Sequence, residues 1–236
     1  MNKIYDENKV RECVFLERLN RFVGKVILNG EEVLVHIKNT GRCKELLVRG
    51  SVGYLLKSDN EKRKYMYDLI SIYKGDDLVN IDSQVPNKVV YKYIEEGNLF
   101  TDVLTLRKEV TYKNSRFDLY LERRDDKGDI EKIFIEVKGV TLFDEVTARF
   151  PDAPTTRGAK HLNELLDAYE NGYKTYVFFL IQCDGIRYFK GNVEKDENFC
   201  STLLNAYENG VKVLCYNSIV TEDDIKINEK IDFQNK

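Results

Sequence analysis

Several features that define other classes of protein are scarce or absent in this sequence. The 236 residues include no tryptophan and only five cysteines, at positions 13, 43, 183, 200 and 215, with no Cys-X-X-Cys pair. An odd number of widely spaced cysteines argues against a disulfide framework or a zinc site and is typical of reduced thiols. No apolar stretch reaches membrane length, and residues 1–7 lack the apolar core of a signal peptide. We therefore expect a cytoplasmic protein without a membrane partner.

An excess of charge of one sign is also absent, since 37 Lys and Arg nearly balance 40 Asp and Glu. The formal net charge is −3, which argues against a general polyanion binder. Residues 11–70 nevertheless contain twelve Lys and Arg against eight Asp and Glu, a local excess of four. Because local surface charge decides contact with nucleic acid, the first part of the chain is the better candidate for such contact.

The first part of the chain is predicted to form a small β-barrel. Strands are predicted at 23–28, 32–37, 53–57, 67–73 and 79–81, and Asn29-Gly30 is a strong signal for a tight hairpin between the first two. Five short strands favour an OB-like fold. A helix is predicted over 86–97. The predicted domains are therefore 1–83, an OB-like nucleic-acid-binding domain, and 84–236.

The second part mixes strands and helices. Strands are predicted at 107–112, 116–122 and 132–138, then a helix at 156–170, strands at 174–182 and 186–189, a helix at 196–209 and a strand at 211–217. Antiparallel strands followed by helix and strand are the order of a restriction-endonuclease-like α/β core. The fold class is thus mixed α+β, an OB-like barrel followed by a restriction-endonuclease-like α/β domain.

Asp118, Glu136 and Lys138 are the most informative residues, because their spacing places them on one face of a hairpin. Both strands alternate apolar and polar residues, which is typical of a strand with one buried face. If the turn-rich stretch at 125–129 centres the hairpin on Lys127, Glu122 faces Lys132. In the same register Asp118 faces Glu136, close enough to share one ion.

Two opposed carboxylates repel each other and favour a cation between them. A hard divalent metal, Mg²⁺ or Mn²⁺, takes such oxygen ligands, so Asp118 and Glu136 are predicted to bind it. Lys138 would orient a water that attacks a phosphodiester. An acidic residue followed by Glu-X-Lys on the next strand resembles the core of the PD-(D/E)XK nuclease fold, so 84–236 is predicted to be a PD-(D/E)XK nuclease-like domain. Glu109, on the neighbouring strand, would assist as a third carboxylate, or is an ordinary exposed glutamate. The alternative for the whole cluster is a solvent-facing, salt-bridged hairpin.

Basic, amide and aromatic residues are mixed in several segments, as in sites that track phosphates and stack bases. The helix at 156 has a cationic first turn, which runs against the helix dipole and favours a phosphate docked there. The predicted nucleic-acid-binding residues are Arg18, Asn20, Arg21, Asn39, Arg42, Arg63, Lys64, Arg116, Arg157, Lys160 and His161. The alternative is an ordinary polar surface and, for His161, a structural role.

Eight motifs link these segments to a known family. They are RLNRF (18–22), HIKNTGR (36–42), ELL (45–47), RK (63–64), EV (109–110), SRFD (115–118), EVKGVTL (136–142) and FPDAPTTRGAKHL (150–162). With them the chain resembles the sugar fermentation stimulation protein A family over nearly its whole length. The resemblance implies an N-terminal OB-like domain, a C-terminal nuclease-like domain and DNA binding.

Three functions remain open from the sequence. The first is a DNA-binding protein with a Mg²⁺- or Mn²⁺-dependent nuclease site, with RNA as an open alternative to DNA. The second is a non-catalytic, largely non-specific DNA-binding regulator of sugar metabolism. The third, a sugar-responsive protein, is suggested by the family name alone.

Overall fold

The computed structural model describes residues 3–39 and 41–235 and shows a barrel followed by an α/β domain. Thr40, which belongs to one of the motifs above, lies outside the described residues. Within the described ranges, no helix is both long enough and apolar enough to cross a membrane.

In the part of the first domain that the structure describes there are six strands, preceded by a short 3-10 helix at Glu7–Lys9. The strands are β1 (Val10–Asn20), β2 (Val23–Leu28), β3 (Glu31–Ile37), β4 (Val52–Lys57), β5 (Tyr67–Lys74) and β6 (Asp77–Asn80). Their order is β3-β2-β1-β4-β5-β6, and an additional pairing of β3 with β5 closes β1–β5 into a barrel. The predicted OB-like fold is confirmed. The sequence prediction missed β1.

The predicted hairpin between β2 and β3 is confirmed. Asn29 and Gly30 both have positive φ, 53° and 86°, as a two-residue turn of this type requires. Glycine and asparagine adopt this conformation with little strain, so this dipeptide defines where the two strands turn.

Within the described residues, the second domain contains three helices and ten strands. They are α1 (Val85–Glu95), β7 (Val103–Tyr112), β8 (Ser115–Arg124), β9 (Ile130–Val140), β10 (Phe143–Asp144), β11 (Thr147–Phe150), α2 (Thr156–Glu170), β12 (Lys174–Ile181), β13 (Tyr188–Gly191), α3 (Glu197–Glu208), β14 (Lys212–Val220), β15 (Ile225–Lys230) and β16 (Asp232–Gln234). The main sheet has the order β15-β14-β12-β9-β8-β7, and β10-β11-β13-β16 form a smaller sheet. Strands β9, β12 and β14 are parallel, whereas β7, β8 and β9 are antiparallel.

The β8–β9 hairpin is buried on both faces, whereas the sequence predicted a single buried face. Leu119, Ile135 and Val137 pack with α1 on one face. On the other face Phe134, together with Phe117, packs in the core that includes α2 and α3. The reason is that β9 pairs with β8 on one side and β12 on the other, and helices cover both faces of a sheet with parallel strands.

A fully buried glutamine joins the two domains. The Gln182 Nε2 donates to the Asn80 Oδ1 at 3.0 Å and to the carbonyl oxygens of Asn80 and Asp82 at 3.1 and 3.2 Å. Its neighbour across the sheet is glycine: a β-carbon at Gly139 would lie 2.3 Å from the Gln182 Oε1. The glutamine thus needs a glycine immediately after Lys138.

One aspartate links the N-termini of α2 and α3. Thr155 is the N-cap of α2, and its Oγ1 accepts from the Gly158 N–H at 3.1 Å. The N-cap of α3 is Asp196, whose Oδ1 accepts from the Phe199 N–H at 2.9 Å and whose Oδ2 accepts from the Thr155 N–H at 2.7 Å. The start of α2 is therefore tied to the start of α3.

Replacing Asp196 with Ala is expected to lower the free energy of unfolding by about 1–2 kcal/mol, because an N-cap is lost. The Thr155 N–H loses its acceptor as well. Urea denaturation followed by circular dichroism measures the change. Glu194→Ala, which removes an exposed carboxylate two residues earlier, is the control and is expected to stay within about 0.5 kcal/mol of wild type. An unchanged midpoint for Asp196→Ala would contradict this role.

Candidate functional site

The site is built where β8 separates from β9. The antiparallel pairing has the predicted register, with Glu122 opposite Lys132, and its last pair is Leu119 with Ile135. One residue further, the Asp118 Oδ2 accepts a hydrogen bond from the Val137 N–H at 2.8 Å. A side chain thus takes the place of the next main-chain partner, and the carboxylate is held against β9.

The other Asp118 oxygen is held from α1. The Asn87 Nδ2 donates to the Asp118 Oδ1 at 2.7 Å. Sequence analysis missed Asn87, which lies in the first turn of α1 and carries no motif signal. Only the periodicity of the helix, with Val85, Val89 and Val90 on its buried side, indicates that α1 packs on the sheet.

Glu136 is more deeply buried than Asp118, with only 3% of the residue exposed. Its Oε1 accepts from the Lys138 Nζ at 2.6 Å and lies 2.5 Å from the His161 Nδ1. Its Oε2 is buried and has no hydrogen-bond partner in the described part of the chain. One oxygen of this carboxylate is therefore doubly held and the other is unpartnered.

The two carboxylates differ in their electrostatics. Burial, together with the nearby Glu136 charge, raises the pKa of Asp118 to about 6, although the hydrogen bond from Val137 opposes the rise. Burial also opposes ionisation of Glu136, but the hydrogen bond from His161 and the charge of Lys138 outweigh it and lower the pKa of Glu136. Glu136 is thus the carboxylate that stays ionised, and the repulsion between the two groups contributes to the raised pKa of Asp118.

This donor set fits a hard divalent cation. An unpartnered buried carboxylate oxygen costs free energy unless something binds it, and a cation beside Asp118 would also relieve the repulsion that raises its pKa. Within residues 3–39 and 41–235 there is no cluster of three or more His, Cys, Asp or Glu side chains suited to hold a metal by themselves. Two carboxylates with water completing the shell are the pattern expected for Mg²⁺.

Glu109 and Arg116 lie apart from this arrangement. Glu109 is exposed, and its Oε2 pairs with the Arg116 Nη2 at 2.7 Å. Its φ of 59° is unusual for a non-glycine residue in a strand. The register of β7 and β8 places Glu109 beside Asp118, but its side chain makes no bond to Asp118 or Glu136. Assistance by Glu109 stays a prediction.

The three predicted residues of α2 have different surroundings. Arg157 and Lys160 are exposed, and Lys160 donates to the Asn114 carbonyl at 3.0 Å. His161 is 5% exposed, with one ring nitrogen facing Glu136 and the other 3.4 Å from the Arg157 Nε. Because the ring is buried and both nitrogens have partners, the structure disagrees with a direct phosphate contact by His161.

In the barrel, two of the arginines predicted to bind nucleic acid, Arg18 and Arg63, form hydrogen bonds with other residues of the protein. Arg18 donates to the carbonyl oxygens of Gly41 and Arg42 at 2.7 Å and to that of Asn39 at 2.8 Å. It therefore shapes the loop after β3. Arg63 forms a bidentate pair with Asp68, at 3.1 and 2.6 Å.

The remaining basic residues of the barrel are more accessible. A groove of about 550 Å³ is lined by Arg18, Asn20, Arg21, Gly41, Arg42, Lys44 and Leu47. Phe22 is 48% exposed, with Arg21 over its ring. The structure thus brings four of the predicted residues together in one groove. Asn39, whose Oδ1 accepts from the Gly41 N–H, and Lys64, which lies over the Tyr65 ring, do not line it.

Comparison with known proteins matches both domains. Residues 16–81 match the SfsA N-terminal OB domain, and residues 84–224 match the sugar fermentation stimulation protein RE domain. The sugar fermentation stimulation protein homolog of Clostridium beijerinckii is 47% identical over 225 residues, which covers 95% of this chain and 97% of the relative. That of Desulfitobacterium hafniense is 48% identical over 220 residues, covering 93% and 94%.

A solved structure agrees with these matches. Pyrococcus furiosus SfsA, described in complex with Ca²⁺, has a TM-score of 0.87 and 26% identity and covers 99% of this chain and 100% of its own. The chain belongs to the sugar fermentation stimulation protein family, with an OB domain followed by a restriction-endonuclease-like domain.

Proposed function

We propose that this protein binds DNA and hydrolyses its phosphodiester bonds with Mg²⁺ or Mn²⁺ held by Asp118 and Glu136. The observation that carries the proposal is the buried, unpartnered Glu136 Oε2 beside Asp118, at the place where Lys138 also lies. The Ca²⁺ in the complex of the Pyrococcus furiosus relative is a hard divalent cation of the same type and supports this choice.

The geometry of the site gives Glu136, Asp118 and Lys138 different roles. Glu136 stays ionised and presents its Oε2, while Asp118 is held in place by Asn87 and by the Val137 N–H. When bound, the metal ion lowers the pKa of a coordinated water and stabilises developing negative charge. The Lys138 ammonium, fixed on the Glu136 Oε1, provides a positive charge that orients the water or the phosphate.

Nucleic acid would be held by cationic surface on both domains. The barrel groove contributes the side chains of Arg21, Arg42 and Lys44, and α2 contributes the exposed Arg157. The acidic net charge is compatible with this, because contact depends on local surface charge.

The first test is cleavage of labelled single- and double-stranded DNA in Mg²⁺, Mn²⁺ or EDTA by the wild type and by Glu136→Gln. Metal-dependent cleavage is expected in the wild type and is expected to fall to the EDTA background in the variant, because a neutral amide replaces an anionic ligand. Gel electrophoresis measures the products.

Glu131→Gln is the matched control for this experiment, since Glu131 lies on the same strand and pairs with Arg123 at 2.8 Å instead. It is expected to cleave like the wild type. DNA binding without cleavage in every condition would favour the non-catalytic regulator, and equal cleavage by Glu136→Gln would place the activity outside this site.

Between pH 4 and pH 8 the wild type is expected to lose up to about 3 kcal/mol of stability relative to Asp118→Asn, whose amide does not ionise and accepts only one of the two hydrogen bonds at either pH. That is the free-energy equivalent of raising the Asp118 pKa from 3.8 to about 6. Because the folded-state pKa is raised, the contribution of Asp118 to stability is complete below pH 3.8 and is lost as the pH rises through about 6. Chemical denaturation at pH 4 and pH 8 measures the difference.

The same variant is expected to lose the stabilisation that Mn²⁺ gives the wild type at pH 8, because ligand binding stabilises only a protein that keeps the site. Glu131→Gln again provides the control and should keep the Mn²⁺ effect. A wild type that gains nothing from Mn²⁺, or a stability difference between Asp118→Asn and the wild type that is the same at pH 4 and pH 8, would contradict the electrostatic account.

Arg42→Ala is expected to weaken DNA binding and to reduce the slope of log K against log salt concentration by about 1, because one phosphate contact is lost. Fluorescence anisotropy at several salt concentrations measures the slope. Lys212→Ala, which removes an exposed cation outside the predicted set, serves as the control. An unchanged slope for Arg42→Ala would remove the barrel groove from the proposed interface.

A further inference from the structure

We propose that His161 is a positioning residue for the metal site: it holds the Glu136 carboxylate so that Oε2 stays turned toward the cation. The inference rests on the metal site of the proposed function. It replaces the direct phosphate contact that the sequence suggested for His161.

The hydrogen bonds around the ring determine its tautomer. The Arg157 Nε carries a proton and has no lone pair to accept with, so the His161 Nε2 at 3.4 Å is the acceptor of that pair. In the neutral ring the proton then lies on Nδ1, which donates to the Glu136 Oε1 at 2.5 Å. Arg157 thereby directs the only ring proton to the carboxylate.

The ring cannot easily leave this orientation. The ring lies on the buried side of α2 and packs edge-on against Phe117 of β8, with the ring centroids 6.2 Å apart and the planes at 81°. Lys138 binds the same Glu136 oxygen from its own strand. With Oε1 held from two directions, rotation of the carboxylate would break two charge-assisted bonds, so Oε2 remains the oxygen available to a cation.

This arrangement also connects the site to the surface. The described residues provide no partner for the two terminal amines of the Arg157 guanidinium, and the side chain is exposed. Those amines are the part of the group that binds phosphate oxygens. A phosphodiester bound there would hold the Arg157 Nε in place, and with it the His161 tautomer that orients Glu136.

The test compares His161→Phe with His161→Asn in the full-length protein, using Mn²⁺ alone as the probe. Phe keeps an aromatic ring against Phe117 but has no donor, whereas the Asn amide carries an N–H close to the position of Nδ1. Isothermal titration calorimetry measures the Mn²⁺ affinity, and thermal denaturation without metal measures stability. His161→Phe is expected to bind Mn²⁺ about 10- to 100-fold more weakly, as found for residues that orient metal ligands. His161→Asn is expected to recover most of the affinity.

A purely structural role would lower the stability of the variants and leave the Mn²⁺ affinity of the folded protein unchanged, and that result would overturn the inference. If His161→Phe does not fold, His161→Gln takes its place, because its longer amide reaches toward Nε2 and not Nδ1. It is expected to bind as weakly as His161→Phe, and affinity equal to that of His161→Asn would overturn the inference. A wild type that binds no Mn²⁺ would overturn the metal site itself, which distinguishes the two failures.

Discussion

The repulsion between a buried carboxylate and a half-buried one is the constraint on which the rest of this structure depends. Asp118 and Glu136 lie where a sheet is covered by helices on both faces, so water screens their charges only weakly. The protein compensates from both layers: Asn87 of α1 holds one carboxylate and His161 of α2 the other. Each layer of the domain therefore contributes one side chain to the same pair of anions, and the packing of both helices is tied to the chemistry of the site.

The compensation is unequal, and this inequality organises the site. Glu136 receives a histidine and a lysine on a single oxygen, which keeps it ionised, whereas Asp118 receives only neutral donors. A site balanced by protein charges alone would have no need of a cation. Here the Glu136 Oε2 lacks a partner and the pKa of Asp118 is raised, so the negative charge of the two carboxylates is not fully compensated by the protein. Buried polar groups left in this state are expected at sites of function more than at sites of stability.

Much of the fold could be predicted from the sequence because apolar residues recur at regular spacing in most of the helices and strands. The helix at 156–170 and the strand at 23–28 agree with α2 and β2 to the residue. Strand β1 was missed because its charged residues obscure the alternation, and β10 and β16 are too short to show one. The acidic pair and Lys138 followed from a period of two. The contacts of Asn87 and His161 did not, because they depend on which helix covers which face, and a single sequence does not encode that locally.

The joint between the domains makes the chain a poor candidate for division into separate fragments. Asp82 accepts from the Lys38 Nζ at 3.1 Å in the barrel, and its other carboxylate oxygen accepts from the Gln84 N–H at 2.9 Å, at the start of α1. A fragment that begins at residue 84 would keep Asn87 but lose the anchor of its helix, and Gln182 would be left with unpaired amide hydrogens. The match to the first family domain ends at residue 81 and the match to the second begins at residue 84, so this boundary crosses the stretch where Asn80, Asp82 and Gln182 bond the two domains together.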